Sequence, residues 1–542
     1  MSLLQVSDLT FCYEGSFDNI FENVSFRVDT DWKLGFTGRN GKGKTTFLKL
    51  LLGEYEYSGS ITTDSRFDYF PYPVREGDME KTVMELKDRW KPACEDWQTL
   101  CELSGLDADP EILYRPVGTL SQGERTKAML AVLFSGENEF LLIDEPTNHL
   151  DSSARQTVTG YLSKKKGFIL VSHDRVMLDS VCDHMLVLNR DSVEVVSGNF
   201  SSWWENKEKK DAFAIAENEK HTKEIGKLKA SADRADRWAS KNENTKIGFD
   251  PVRENDRSIS TRSYIGTKTK KMQSRVKNFE KRMERQIAEK EGLLSDIETV
   301  EDIRLTPLLH HKKTLVECRD LSLRYEGNEM IIKALTFSVL QGEIVFLSGR
   351  NGCGKSSFIK ALLACANHPD AAAGDNTRTK NSQKDAAAGS NTRTKDIHPA
   401  APDTERSILI TEGLLSVAGN IVISYISQDT SFLKGPLKEY AESRGLDYSL
   451  LLTLLRKLDL NRIQFEKNME DFSEGQKKKV LIASSLLTPA HLYIWDEPLN
   501  YIDVFSRMQI EKLIENCHPT MIVVEHDEAF RKKLAGRVIN LP

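Results

Sequence analysis

The apolar positions of this chain fall into short continuous runs, and the runs come in pairs. Phe140-Leu141-Leu142-Ile143 ends on Asp144-Glu145-Pro146, and Leu492-Tyr493-Ile494-Trp495 ends on Asp496-Glu497-Pro498. Phe168–Val171 leads to His173, and Met521–Val524 leads to His526. Lys33-Leu34-Gly35-Phe36-Thr37 and Ile344-Val345-Phe346-Leu347-Ser348 each run into a glycine-rich segment. A run of four or five apolar residues reads as a buried strand. Each half also opens on a strand-like stretch that reaches a tyrosine, Tyr13 in the first and Tyr325 in the second. The chain is therefore an internal repeat, and the spacing supports it. Ser121 to Asp144 is 23 positions, and so is Ser473 to Asp496. Glu145 to His173 is 28, and Glu497 to His526 is 29. Lys44 to Ser121 is 77, whereas Lys355 to Ser473 is 118, so the second half carries an insertion of 41 residues. Its source is visible: Asp370–Lys380 recurs 15 residues later as Asp385–Lys395. Small, polar and repetitive, the segment at about 366–405 cannot bury enough apolar surface to order itself, and reads as a flexible loop.

Between the halves the pattern changes. Two stretches, about 201–241 and 264–302, are rich in Lys, Glu, Ala, Met and Arg without proline and read as helices. Gly248, Pro251 and several Ser and Thr separate them. The expectation is a long helical hairpin with its tip at about 241–268. Lys220 to Arg285 holds 19 Lys and Arg against 9 Asp and Glu. A solvated spacer would also carry mixed charge. This excess sits in a chain of formal net charge −6, with Trp238, Phe249 and Tyr264 interleaved. Cations that neutralise phosphates beside rings that can stack on bases favour nucleic acid.

Composition adds limits. With 542 residues, 39% apolar and 29% charged, the chain has ample core for two to four domains. No apolar run approaches the ~18 residues of a membrane helix, and the first residues lack the pattern of a signal peptide. Cys12, Cys94, Cys101, Cys182, Cys318, Cys353, Cys365 and Cys517 form no C-x-x-C pair, which suits a reducing cytoplasm and argues against structural zinc. Cys353 lies inside the second glycine-rich segment, where a tolerant loop position accounts for it better than a redox switch does.

The glycine-rich segments carry the chemistry. Gly38-Arg39-Asn40-Gly41-Lys42-Gly43-Lys44-Thr45-Thr46 and Gly349-Arg350-Asn351-Gly352-Cys353-Gly354-Lys355-Ser356-Ser357 both fit G-x-x-x-x-G-K-[ST]. Such loops wrap phosphate oxygens in backbone N–H groups, place a lysine on the outer phosphates and a hydroxyl on Mg²⁺. Asp144 with Thr45, and Asp496 with Ser356, are placed to hold that metal. Glu145 and Glu497 follow and can polarise an attacking water. His173 and His526 fall at the edge of the same sites and can bond a terminal phosphate. Leu120-Ser121-Gln122-Gly123-Glu124 and Phe472-Ser473-Glu474-Gly475-Gln476 offer a hydroxyl and N–H groups at a helix start, an anion site.

In this order, twice, these segments resemble the ATP-binding cassette superfamily over nearly the whole chain. The resemblance implies an α/β fold: two P-loop cassette domains, 1–200 and 313–542, joined by a long α-helical hairpin over 201–312. It implies that the cassettes pair head to tail within one chain, with ATP and Mg²⁺ between them. Site one would join Gly38–Thr46, Asp144, Glu145 and His173 to Ser473 and Gly475. Site two would join Gly349–Ser357, Asp496, Glu497 and His526 to Ser121 and Gly123. Tyr13 and Tyr325 would stack on adenine, and Gln428 would serve site two as nucleotide and metal contact. Two departures fall on site one. Tyr72 stands where glutamine is expected, and Glu474 replaces a usual glycine, adding negative charge. Both suggest that site one hydrolyses more slowly.

Two cassettes with a charged linker and no membrane domain resemble the ABC-F proteins, translation factors of the ribosomal E site. Asp31-Trp32-Lys33-Leu34-Gly35 and Tyr264-Ile265-Gly266 look like their Lsa-like antibiotic-resistance group. That resemblance implies a cytoplasmic ATPase for ribosome protection and antibiotic resistance, with the 70S ribosome, its rRNA and P-site tRNA, as partner and no DNA or membrane subunit. The contacts it implies are Trp238, Lys241, Lys246, Phe249, Arg253, Arg257, Arg262, Tyr264 and Lys268. Alternatives are a housekeeping ABC-F translation factor without resistance activity and the ATPase subunit of an ABC transporter. A DNA-repair ATPase fits less well, since its coiled coil would interrupt one cassette and zinc cysteines are absent.

Overall fold

The computed structural model describes residues 2–13, 19–136, 140–148, 150–188, 193–244, 307–325, 330–367, 408–460 and 462–541. The repeat in the sequence becomes one strand order drawn twice. In the first half a six-stranded sheet runs Phe67–Phe70, Phe140–Asp144, Phe168–Val171, Lys33–Gly38, His184–Leu188, Val193–Ser197. In the second, a five-stranded sheet runs Ile423–Ile426, Leu492–Asp496, Met521–Val524, Ile344–Ser348, Arg537–Asn540. All neighbours are parallel except the hairpin His184–Leu188 with Val193–Ser197. A three-stranded antiparallel sheet accompanies each: Leu3–Phe11 lies between Phe21–Asp29 and Ser58–Thr62, and Thr314–Tyr325 lies between Met330–Leu340 and Ile408–Val417.

The continuous apolar runs are explained by burial on both faces. Along Leu492–Asp496 every residue is buried, and alternate side chains enter different cores. Leu492 and Ile494 pack with Val345, Leu347, Ile522 and Phe358. Tyr493 and Trp495 pack with Phe346, Val523 and the helical layer around Leu451 and Leu481. Trp495 is fully buried and donates from Nε1 to Ser485 Oγ at 3.0 Å, which satisfies its one polar atom. In the first half Phe36, Phe47, Leu142, Ile169 and Leu186 form the corresponding core.

Met1–Trp203 with Glu301–Pro542 form one compact unit, and Trp204–Val300 form another. The first helix expected between the halves is a single 45-residue helix, Phe200–Asn244. The second expected helix at 264–302 and most of the tip lie outside the described residues. The helix Lys355–Asn367 runs up to the insertion, of which residues 368–405 also lie outside them. Among the described residues no helix is long and apolar enough to cross a membrane.

Parallel strands put their carboxyl ends on one side of the sheet, where a phosphate loop, an Asp-Glu pair and a histidine converge in each cassette. Because Trp495 fills the core beneath one such edge, Trp495→Ala should lower stability by about 3–5 kcal/mol. A shift in the urea unfolding midpoint measures it.

Candidate active sites between the cassettes

Each phosphate loop turns into its helix through a glycine that nothing else could replace. Gly43 has φ +94° and Gly354 has φ +96°, and a Cβ on either would lie 2.4 Å from a methyl of Ile20 or Ile331. The lysines that follow fold into the loops. Lys44 Nζ donates to the carbonyls of Gly38 at 2.6 Å and Arg39 at 3.2 Å, and Lys355 Nζ donates to Gly349 and Arg350, both at 2.9 Å. Burial lowers the Lys44 pKa, while Asp503, Glu145 and Asp144 oppose that.

The next hydroxyl meets the strand-end aspartate. Thr45 Oγ1 donates to Asp144 Oδ2 at 2.9 Å, and Ser356 bonds Asp496. Burial raises both aspartate pKa values. Asp496 Oδ1 is buried with no hydrogen-bond partner. Among the described residues no three His, Cys, Asp or Glu could hold a metal by themselves. A hydroxyl and a carboxylate are nevertheless the hard oxygen donors that Mg²⁺ accepts beside phosphate and water.

The two glutamates share a backbone and differ in company. Glu145 has φ +52° and Glu497 φ +47°, the left-handed region. Burial, then the Asp144 charge, pushes the Glu145 carboxyl up to about 8. Its Oε1 lies 3.2 Å from His173 Nε2 without hydrogen-bond alignment. Glu497, also raised by burial, instead accepts from Gln428 Nε2 at 2.7 Å and Asn500 Nδ2 at 2.8 Å. Burial holds both histidines down, His526 to about 4, so both are neutral at pH 7. His526 Nε2 is buried and has no hydrogen-bond partner in its cleft.

Neither cleft belongs to one cassette. Asn40, Gly41, Lys42, Glu145 and His173 line the first together with Ser473, Glu474, Gly475, Lys479 and Tyr501. Asn351, Gly352, Gly354, Lys355, Ser356, Ser357, Tyr325, Gln428, Glu497 and His526 line the second with Ser121, Gly123 and Asp151. Each Ser-x-Gly segment starts a helix through a capping box: Ser121 Oγ accepts from the Glu124 N–H and Ser473 Oγ from that of Gln476. The hydroxyl protons remain for an anion. Asn40 Nδ2 donates to the Tyr501 carbonyl at 2.7 Å, Arg39 pairs with Asp459 at 3.0 Å, and Arg175 with Glu511 at 3.1 Å. These contacts fix the register of the two halves.

Tyr13, Gly38, Gly43, Lys44, Thr45, Thr46 and Asp144 are not among the residues that line the first cleft; Lys44 bonds the loop carbonyls, Thr45 bonds Asp144 and Tyr13 bonds Thr46. The Tyr13 hydroxyl bonds Thr46 Oγ1 and that of Tyr325 bonds Ser357 Oγ, each at 2.8 Å. One expectation needs correction and one needs qualifying. Tyr72 does not face the first site: its hydroxyl donates to Asp68 at 2.6 Å and its ring stacks on Trp90. Tyr69, three residues earlier, reaches Asp144 at 3.2 Å instead. Glu474 lines the first cleft, but its carboxylate accepts from Thr430 Oγ1 at 2.5 Å and pairs with Lys477 at 3.3 Å, so its charge is partly offset. Of the expected linker contacts, Trp238 and Lys241 belong to the helix Phe200–Asn244. Lys246, Phe249, Arg253, Arg257, Arg262, Tyr264 and Lys268 lie outside the described residues. Sequence reasoning missed Asn500, Lys479, Asp503 and Arg507. Lys479 Nζ pairs with Asp503 at 2.9 Å with both side chains buried. The matching spacings Asp151–Arg155 and Asp503–Arg507 were the available signal.

Comparison with known proteins adds a family and relatives. The family described as ABC transporter matches residues 21–148 and 332–500, more than half of the chain. The ribosome protection protein VmlR of Bacillus subtilis (strain 168) is 25% identical over 533 residues, covering 96% of this chain and 84% of its own. ABC transporter F family member 5 of Arabidopsis thaliana is 21% identical over 586 residues, covering 96% and 72%. Among solved structures, the complex of archaeal ribosomal stalk protein aP1 and ribosome recycling factor aABCE1 aligns over 98% of this chain and 87% of the matched chain. Its TM-score is 0.58 at 18% identity, a likeness of fold.

The loop glycines give a direct test of two clefts per chain. Gly43→Ala and Gly354→Ala should each remove one nucleotide, lowering the stoichiometry of a fluorescent ATP analogue from two per chain to one, counted by equilibrium titration.

Proposed function

Because this chain belongs to the ABC transporter family, and is an ATPase with tandem cassettes resembling the ABC-F proteins, we propose that it acts on the 70S ribosome as a ribosome protection factor. Similarity to VmlR along 96% of the chain, spanning both cassettes and the segment between them, is the observation that carries this reading. The basic excess between the halves supports it through affinity for phosphate-rich RNA. In this proposal the protein works in the cytoplasm as a monomer, enters the E site and sends its linker toward P-site tRNA and the peptidyl-transferase region. There it displaces bound lincosamide, streptogramin A or pleuromutilin.

The clefts give the proposal its chemistry. Each ATP is sandwiched between one cassette's phosphate loop and the other's Ser-x-Gly helix, with Tyr13 or Tyr325 on the adenine. Thr45 with Asp144, and Ser356 with Asp496 and Gln428, would hold Mg²⁺, which would supply neutralisation of charge on the phosphates. Glu145 and Glu497 orient the attacking water and accept its proton when ionised, a form that the raised pKa leaves in the minority for Glu145 at pH 7, and the neutral His173 and His526 each present one ring N–H to the terminal phosphate. Nucleotide that binds the closed pair better than the open one shifts the protein toward closure, and hydrolysis releases it. Site one is the slower: among the described residues the Glu145 carboxylate accepts only a long bond from the His173 backbone N–H, at 3.4 Å, where Glu497 has the side-chain amides of Gln428 and Asn500, and Tyr69 occupies Asp144.

Three measurements test this. The double variant Glu145→Gln, Glu497→Gln should hold the closed state and pellet with 70S ribosomes in ATP; a ribosome-free pellet would refute the reading. Cells expressing the wild-type protein should tolerate more of these antibiotics than cells without it. Ribosome binding with unchanged susceptibility would identify a housekeeping translation factor instead. In single-turnover hydrolysis, Glu497→Gln should remove the faster phase and Glu145→Gln the slower, whereas equal losses would sink the inequality of the sites.

A further inference from the structure

We propose that Arg507 and Glu525 form a one-sided bridge that couples the two nucleotide clefts. Arg507 lies on the helix Val504–Cys517 of the second cassette and is buried. Its Nη1 donates both to the His173 carbonyl of the first cassette at 3.2 Å and to Asp527 Oδ2 at 2.9 Å. Its Nη2 donates to the Leu499 carbonyl and its Nε to that of Ile502, both at 2.9 Å. One guanidinium thus touches the backbone of the histidine serving the first cleft and the residue after the histidine serving the second. It also grips the loop that carries Asn500, a partner of Glu497.

Glu525 completes the bridge. It stands directly before His526, is buried, and accepts from the N–H groups of His526 at 2.8 Å, Asp527 at 3.3 Å and Leu499 at 3.3 Å. The histidine loop and the loop after Glu497 are therefore stapled together in the second cassette. The first cassette is built otherwise. Ser172 occupies the Glu525 position and, among the described residues, accepts only locally, from the Asp174 N–H at 3.1 Å. Arg155, the counterpart of Arg507, bonds the Leu150 carbonyl at 3.0 Å and lies 3.9 Å from Asp174, both in its own cassette.

The physical consequence follows from burial. A guanidinium cannot lose its charge, and one shut away from water cannot exchange a lost protein acceptor for a solvent one. When nucleotide draws His173 or His526 toward its phosphate, Arg507 must follow or leave a donor unanswered. The displacement is then felt at the other cleft, and by linkage the effect on binding runs both ways. The bridge rests on reading the clefts as nucleotide sites, which the single glutamine variants test independently.

The experiment is an additivity test of steady-state ATP hydrolysis. Glu145→Gln and Glu497→Gln are each measured in the native background, with Arg507→Lys and with Glu525→Ser, alongside a melting temperature for every protein. With the bridge intact, silencing one cleft should also slow the other by about fivefold or more, so the two single-variant rates sum to well below the parent rate. With Arg507→Lys or Glu525→Ser the sum should return to the rate of that background, because the clefts then turn over independently. Glu525→Ser installs the residue the other cassette already uses, so it decides the question even where Arg507→Lys lowers the melting temperature. A sum that equals the parent rate in the native background, or stays equally low with Glu525→Ser, would overturn the bridge. Full hydrolysis by both glutamine variants would overturn the nucleotide reading and the bridge with it.

Discussion

A charged group sealed from water sets strict terms for everything around it, and Arg507 is such a group. Its donors are answered by three carbonyls and one carboxylate, drawn from both halves of the chain. Removing any one partner leaves a buried cation under-bonded, which costs several kcal/mol. The relative placement of the cassettes is therefore specified at hydrogen-bond precision, and not by apolar contact alone. The loop bond from Asn40 to the Tyr501 carbonyl inherits its geometry from that placement. So does the approach of Ser473 and Gly475 to the first phosphate loop.

That constraint explains why each site is split. A phosphate loop alone supplies N–H groups and one ammonium to one side of a nucleotide. The opposite side needs a helix start, and the nearest one belongs to the other cassette. Capping boxes at Ser121 and Ser473 keep those helix starts rigid before any ligand arrives. A ligand held in either cleft would therefore meet both cassettes at once.

The sequence revealed the repeat, the loops, the strand-end carboxylates and the histidines, because each is a local requirement. A cradle for phosphate needs glycine at Gly43 and Gly354 whatever surrounds it, and a doubly covered strand needs an unbroken apolar run such as Leu492–Trp495. What it concealed depends on direction and distance. Counting from the strand puts Tyr72 at the position of Gln428, but spacing does not say which way a side chain turns, and Trp90 and Asp68 capture it. Tyr69 was passed over for the same reason. The Arg507–His173 contact joins residues 334 positions apart, beyond the reach of any local pattern. Glu525 was legible in a weaker sense: Val171-Ser172-His173-Asp174 and Val524-Glu525-His526-Asp527 differ at one chemically significant place.

The left-handed backbone of Glu145 and Glu497 has a further implication for how such a chain persists. A residue with a Cβ in that region sits roughly 1–2 kcal/mol above its relaxed conformation, a strain that glycine would relieve. At these two positions the residue that best suits folding is thus not the residue that carries a carboxylate into the cleft. A lineage freed from selection for turnover would be expected to drift there first, gaining stability as it falls silent. Glu145→Gly or Glu497→Gly would therefore relax the backbone and remove the carboxylate from its cleft in a single change.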